Sequence, residues 1–266
     1  LETIQKFRAT VCFTAPTFYR QMAGLAKNYD LRSLERCVSA GEALPDATRQ
    51  LFKQATGIEI IDGIGSTEMI HIFISHTPER VRRGATGYAI PGYQATVLDE
   101  NDQPCAPGVV GRLAVRGATG CRYLADERQK DYVISEGEMR GWNVTGDAYA
   151  MDADGYFFYH SRTDDMIVSA GYNIAGPEVE GVLLAHPAVA ECGVVGVPDE
   201  ERGRIVKAFV VLRPGHAQDA AMSKQLQDHV KNAIAPYKYP RAVEFLDVLP
   251  RTETGKLQRF KLRTKP

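Results

Sequence analysis

The chain has 266 residues, 44% hydrophobic and 24% charged, with a formal net charge of -1. Those values suit one large or two smaller globular domains. They exclude a molecule whose overall field would draw it to nucleic acid or an anionic membrane. No apolar run is long enough to span a bilayer, the five cysteines include no Cys-x-x-Cys pair, and the six histidines show no metal-ligand spacing, so neither a membrane protein nor a zinc cluster is expected. Free, widely spaced thiols fit a cytoplasmic location.

Residues 1–12 read as a helix running into a strand, as if cut from a longer protein. Residues 9–15 are a short apolar run ending at Pro16, and 18–26 carry helical apolar spacing. A strand is predicted at 36–40, a turn at 41–45, a helix at 46–56 stopped by Gly57, and a strand at 59–61. Strand, turn, helix, strand is α/β logic with parallel pairing. From about Gly84 the pattern changes. Alternating segments at 93–99 and 112–116 flank a stretch rich in Pro, Gly and Asp, and 149–161 folds about the Asp-x-Asp-Gly turn at 152–155, which predicts a small antiparallel β unit. After Arg162, Pro177 suits a first helical position with Glu178 and Glu180 behind it. Strands are predicted at 190–197 and 206–212, an amphipathic helix at 220–235 ended by Pro236, and a further strand from Arg241 before a basic end. The joint is expected at 162–165. That gives domains at 1–163 (an α/β piece at 1–83 and an antiparallel β unit at 84–163) and at 164–266.

Five stretches carry candidate chemistry. Pro250-Arg251-Thr252-Glu253-Thr254-Gly255-Lys256 would present Lys256 on a tight turn, as a point charge for phosphate or carboxylate; alone, a solvated basic tail accounts for it, since Arg259, Lys261, Arg263 and Lys265 follow. Asp62-Gly63-Ile64-Gly65-Ser66-Thr67-Glu68 follows an apolar run, where open α/β sheets bind ligands. Thr67 offers a hydroxyl and Glu68 a carboxylate for Mg²⁺ against phosphate; a helix start capped by Ser66 fits equally well. Ser39-Ala40-Gly41-Glu42-Ala43 is a second strand-then-glycine turn, suited to another wall of the same crevice or to a simple loop. Thr145-Gly146-Asp147 places a carboxylate where it would accept two ribose hydroxyls, or serve only as a turn aspartate. In Arg162-Thr163-Asp164-Asp165, the acidic pair marks a hinge or a surface ion-pair cluster, and Gly171 further on suggests a bulge or a close approach of ligand.

In this order and over essentially the whole chain, these stretches resemble the adenylate-forming superfamily of acyl-CoA synthetases, luciferases and peptide-synthetase adenylation domains. Within it, 62–75 (D-G-I-G-S-T-E-M-I-H-I-F-I-S) and 169–180 (S-A-G-Y-N-I-A-G-P-E-V-E) are similar to benzoate and 2-aminobenzoate CoA ligases. The resemblance implies an α/β plus α+β fold: the end of a large N-terminal domain, with a parallel-sheet piece and a small β-barrel-like unit, then a small mobile C-terminal α+β domain. It implies that Gly41, Glu42, Ala43, Asp62, Gly63 and Ile64 frame an adenine and that Thr67 touches phosphates. Glu68 would hold Mg²⁺, while Asp147, helped by Arg162, would grip ribose. Asp164 would be the hinge and Lys256 the adenylation lysine. Ala170 and Gly171 would line a CoA channel, and His71, one helical turn beyond Glu68, would border the acid pocket.

Four departures stand out. Ile64 replaces a frequent aromatic, Asn173 a frequent arginine and Ser161 a usual glycine, and the family's Ser/Thr/Gly-rich loop ending in Pro-Lys is absent from the sequence. The implied activity is ligation of a carboxylic acid, of benzoate or 2-aminobenzoate type, to CoA, using ATP and Mg²⁺ and releasing AMP and pyrophosphate. A chain without the phosphate loop is expected to be inactive by itself and to need the preceding half of the same protein. A non-catalytic nucleotide-binding fragment, an enzyme loading a carrier-protein thiol, and a medium-chain fatty acid substrate remain open alternatives.

Overall fold

The computed structural model describes every residue except Thr254, Lys265 and Pro266. Two compact units divide the chain, Leu1–Thr163 and Asp164–Pro266.

The first unit opens with α1 (Glu2–Phe7), β1 (Val11–Thr14), α2 (Pro16–Leu25), β2 (Arg36–Ser39), α3 (Asp46–Thr56) and β3 (Ile60–Gly65). Pro16 starts α2 where its missing N–H costs nothing, and Gly57 closes α3 at φ 77, a left-handed cap that only glycine adopts without strain. β1, β2 and β3 pair in parallel, and Tyr19, Phe52, Cys37 and Ile60 form the core between sheet and helices. β4 (Ile72–Ser75) and β5 (Tyr88–Ala89) extend this sheet antiparallel.

β6 (Tyr93–Leu98), β7 (Val110–Gly117), the short α4 (Gln129–Tyr132), β8 (Asn143–Met151) and β9 (Phe157–Arg162) follow. The four strands make an antiparallel meander in the order β6-β7-β8-β9. The barrel-like unit expected from the resemblance is therefore an open sheet, because β6 and β9 do not pair. Its inner face, with Val97, Leu113, Val115, Tyr149 and Phe157, packs on Met69, Phe73 and Ile74.

In the second unit, the hairpin β10 (Ile167–Ser169) and β11 (Tyr172–Ile174) leads into α5 (Gly176–Ala185). β12 (Val189–Asp199), β13 (Gly203–Leu212), α6 (Ala220–Ala233), β14 (Ala242–Phe245) and α7 (Arg259–Arg263) complete it. β12 and β13 form a long antiparallel pair, and β14 joins β13 in parallel. Alternation along the strands sorts their side chains onto two faces. Val194, Val206, Ala208 and Val210 face α5 and α6, whereas Val195 and Phe209 face Leu249, Leu257 and Leu262 of the terminal segment.

Candidate nucleotide-handling site

The register aligns Thr14 with Ser39 and Ser39 with Asp62, so the carboxyl ends of three parallel strands share one edge. Ligand crevices of open α/β sheets lie beyond such an edge. Gly41 turns the chain there at φ 91, Glu42 accepts a hydrogen bond from Thr17 Oγ1 at 3.4 Å, and Ala43 is exposed.

β3 runs farther than its hydrophobic pattern predicts. Asp62, Gly63, Ile64 and Gly65 are strand residues, not a loop. The glycines serve the ladder: a Cβ on Gly63 would lie 2.9 Å from Ile72, and one on Gly65 2.5 Å from the His71 carbonyl oxygen, at the bulge between Ile64 and Gly65. Ile64 packs on the core of the meander. The Asp62 N–H donates to His76 Nε2 at 3.0 Å, and its carbonyl accepts from Ser75 Oγ at 2.7 Å. Asp62 is half-buried, and loss of solvation around its carboxyl pushes its pKa up to about 7 against weaker opposition from the Gly63 N–H and Arg49.

No helix follows Ser66. The Ser66 hydroxyl caps the Met69 N–H at 3.2 Å, but the chain turns through Ile70 at φ 72 straight into β4. His71 is therefore not a helical turn beyond Glu68. It sits exposed at the mouth of β4, edge-on to Phe13 with ring centroids 6.2 Å apart. Thr67 is exposed. Glu68 Oε1 accepts a 2.6 Å hydrogen bond from the Tyr123 hydroxyl, and this bond, against partial burial and with smaller help from the Glu68 N–H, the Ser66 hydroxyl and, least, the Arg162 charge, holds the Glu68 carboxyl below the usual carboxylate range. Tyr123 lies in an irregular, charge-rich stretch with no periodicity, and sequence reasoning passed over it.

Asp147 is a buried residue inside β8, opposite Arg162 of β9, rather than a turn aspartate. Arg162 Nη1 lies 3.3 Å from Asp147 Oδ1 and donates to the Thr145 carbonyl at 2.9 Å. Gly146, at φ 76, makes this possible, because a Cβ there would lie 2.7 Å from the Arg162 guanidinium. Asp147 and Arg162 thus form a pair, and the Arg162 charge is felt weakly at Glu68. Among the described residues no three His, Cys, Asp or Glu side chains converge to hold a metal ion unaided.

In the second unit Asp164 is exposed at its first position. Ala170 (φ 47) and Gly171 (φ 80) form the two-residue turn of the β10–β11 hairpin. Two positive φ values are what such a tight turn needs. This replaces the expected bulge, and a Cβ on Gly171 would touch nothing within 4 Å. Lys256 is exposed on a turn closed by the Thr252 N–H to the Lys256 carbonyl (2.9 Å) and by the Lys256 N–H to Thr252 Oγ1 (3.0 Å). Thr254, also expected in this turn, lies outside the described residues, as does Lys265 of the basic tail. Ion pairs flank the turn, Arg251 with Glu191 and Arg259 with Glu180, each at 2.7 Å, and Leu257 packs where Gly193 leaves room on β12.

The model of the AMP-binding enzyme family matches residues 1–122, and that of the AMP-binding enzyme C-terminal domain matches 178–256. The chain belongs to the AMP-binding, adenylate-forming enzymes. It is 40% identical over 99% of its length to a benzoate–CoA ligase of Thauera aromatica and 39% identical over its whole length to the mitochondrial acyl-coenzyme A synthetase ACSM3 of Mus musculus. The solved structure of the anthranilate CoA ligase AuaEII in complex with anthranoyl-AMP matches 98% of the chain, with a TM-score of 0.90 at 42% identity, and the chain covers 51% of that structure. The chain spans about half the length of the curated relatives it matches, 50% and 47% for the two above.

No helix among the described residues is long and apolar enough to cross a membrane.

Proposed function

We propose that the protein containing this chain joins a carboxylic acid to CoA through an acyl-adenylate. The observations that carry this reading are the Asp147–Arg162 pair of the meander and the Glu68 loop that follows β3 of the parallel sheet, both in the first unit. In the first step a carboxylate oxygen of the acid attacks the α-phosphorus of ATP, the bond to the bridging oxygen breaks, and pyrophosphate leaves. In the second, the CoA sulfur attacks the acyl carbon, its proton passes to solvent, and AMP departs.

Asp147 accepts the ribose hydroxyls, with Arg162 fixing its carboxylate. Gly41, Glu42, Ala43, Asp62, Gly63 and Ile64 border the base, which would meet an aliphatic surface at Ile64. Thr67 donates to phosphate. A lone carboxylate suits Mg²⁺ that arrives on the nucleotide, since that ion keeps water and phosphate ligands and takes only one or two carboxylates from a protein. Glu68 fits that part, and the ion offsets negative charge at the phosphates. Lys256 brings a positive charge to the meeting of two anions, whose repulsion dominates the barrier. Asp164 serves as the hinge that moves Lys256 away and brings the Ala170–Gly171 turn to the pantetheine path. His71, against Phe13, borders the acid.

The relatives named for benzoate and anthranilate support an aromatic acid; the acyl-coenzyme A synthetase at nearly equal identity leaves the acyl group open. AMP release by the full-length protein with ATP, Mg²⁺ and CoA, across substituted benzoates and medium-chain acids, tests this. Turnover on one aromatic acid is expected. AMP release indifferent to CoA, or none with any acid, would overturn the ligase reading.

A further inference from the structure

The segment after β7 crosses over the 66–71 loop and is fastened to it twice. Thr119 Oγ1 donates to the Met69 carbonyl at 2.9 Å and lies 2.8 Å from Tyr93 Oη. Four residues on, the Tyr123 hydroxyl donates to Glu68 Oε1 at 2.6 Å. The segment is itself built to hold that tyrosine. Asn143 Oδ1 accepts from the Cys121 N–H (2.8 Å), and Gln129 accepts from the Tyr123 N–H (2.7 Å) while donating to the Cys121 carbonyl (3.2 Å). The ring of Tyr123 meets Tyr132 edge-on at 5.6 Å and has the Arg128 guanidinium 5.4 Å from its centre.

The fastened loop is one that would relax if released. Ile70 follows the two anchored residues, is 77% exposed, and holds φ 72. A β-branched side chain in the left-handed region costs about 1–3 kcal/mol and persists only where its surroundings over-determine it. The turn's own bonds, Ile70 N–H to the Thr67 carbonyl (3.1 Å) and Met69 N–H to Ser66 Oγ (3.2 Å), hold that conformation together with the anchors at Glu68 and Met69.

The geometry points to Tyr123 as a positioning residue that aims the Glu68 carboxylate at the magnesium–nucleotide complex, through the strap of residues 118–129. This rests on the role of Glu68 proposed above. A tyrosine that merely packed would not need its hydroxyl on the one carboxylate of the loop. Partners that orient a metal-binding side chain are typically worth about 10–100-fold in affinity.

The test uses the full-length protein, Mn²⁺ as the probe, and an ATP analogue with a methylene α,β-bridge that cannot be cleaved. Bound Mn²⁺ is read by electron paramagnetic resonance. Tyr123→Phe is expected to weaken Mn²⁺–nucleotide binding about tenfold. Glu68→Gln should weaken it at least as much, and the double variant should be no worse than Glu68→Gln alone, because Tyr123 acts through Glu68. Thioester formation from CoA and preformed acyl-adenylate should be unchanged in Tyr123→Phe. Normal Mn²⁺ binding in Tyr123→Phe alongside weak binding in Glu68→Gln would overturn this inference and leave the ligase reading intact. Normal binding in both would remove the metal role of Glu68 as well. Additive losses of Mn²⁺ binding, or an equal loss of thioester formation in Tyr123→Phe, would assign Tyr123 to structure only and overturn the proposal.

Discussion

Lys256 projects from a turn whose two ends are hydrogen-bonded to each other, which fixes the backbone while leaving the long side chain exposed. Lys256→Ala in the full-length protein should lower acyl-adenylate formation on the order of 100-fold or more, as loss of a transition-state charge partner does. Pyrophosphate release in a single turnover measures it, and an unchanged rate would remove the lysine from the first step. Asp62 makes a prediction of a different kind. Its desolvated carboxyl titrates at about 7 instead of 3.8, so the folded protein holds a proton that the unfolded chain releases. Stability from this group is complete below about pH 4 and is lost as pH rises to about 7. Asp62→Asn should therefore match the parent near pH 4 and exceed it at pH 8, in denaturant midpoints taken at both values. His76 slopes the other way. Burial lowers its pKa below 6.5, and its Nε2 must stay unprotonated to accept from the Asp62 N–H, so its contribution is present above pH 6.5 and lost as pH falls.

Two glycines of the same residue type separate two kinds of cost at the level of strands and turns. At Gly65 an added methyl would meet the His71 carbonyl at 2.5 Å, whereas at Gly171 it would meet open space but keep φ at 80. Gly65→Ala should destabilise by about 1–3 kcal/mol through overpacking, and Gly171→Ala by about 1–2 kcal/mol through left-handed strain alone. Urea unfolding measures both, and a loss well below about 1 kcal/mol in Gly65→Ala would argue against the steric account of that position. The contrast also marks what the sequence could and could not reveal. Apolar periodicity and end signals located α3 to the residue and β2 to within one, because Gly57 and the apolar runs act locally. The extent of β3 was hidden, because its glycines answer to β4, where Gly63 meets Ser75 and Gly65 meets Ile72. The hairpin turn at 169–172, where the sequence suggests a bulge or a close approach of ligand, is hidden for a similar reason: Ala170 sits in a conformation that alanine seldom adopts. Motif order brought out Asp147 and Arg162, which the structure pairs, but Tyr123 reaches Glu68 across 55 residues from a stretch without pattern.

At the scale of the molecule, the chain divides between Thr163 and Asp164, within the short helical turn Thr163–Asp165. If Asp164 absorbs the backbone change between two half-reactions, restricting its φ with proline should separate them. Asp164→Pro in the full-length protein is expected to make acyl-adenylate at close to the parent rate while slowing transfer to CoA about tenfold or more. Rapid-quench measurement of each half-reaction checks this, and equal slowing of both would remove the hinge role.

The supports of the Lys256 turn seen among the described residues belong to the unit that bears it: Glu191 and Gly193 on β12, Glu180 on α5, and α7 directly behind. The position of that ammonium is therefore an inherited property of one module. Residues 164–266 grafted onto the large domain of another family member would carry a correctly mounted lysine with them, and any mismatch in such a hybrid would arise at the joint and not at the charge.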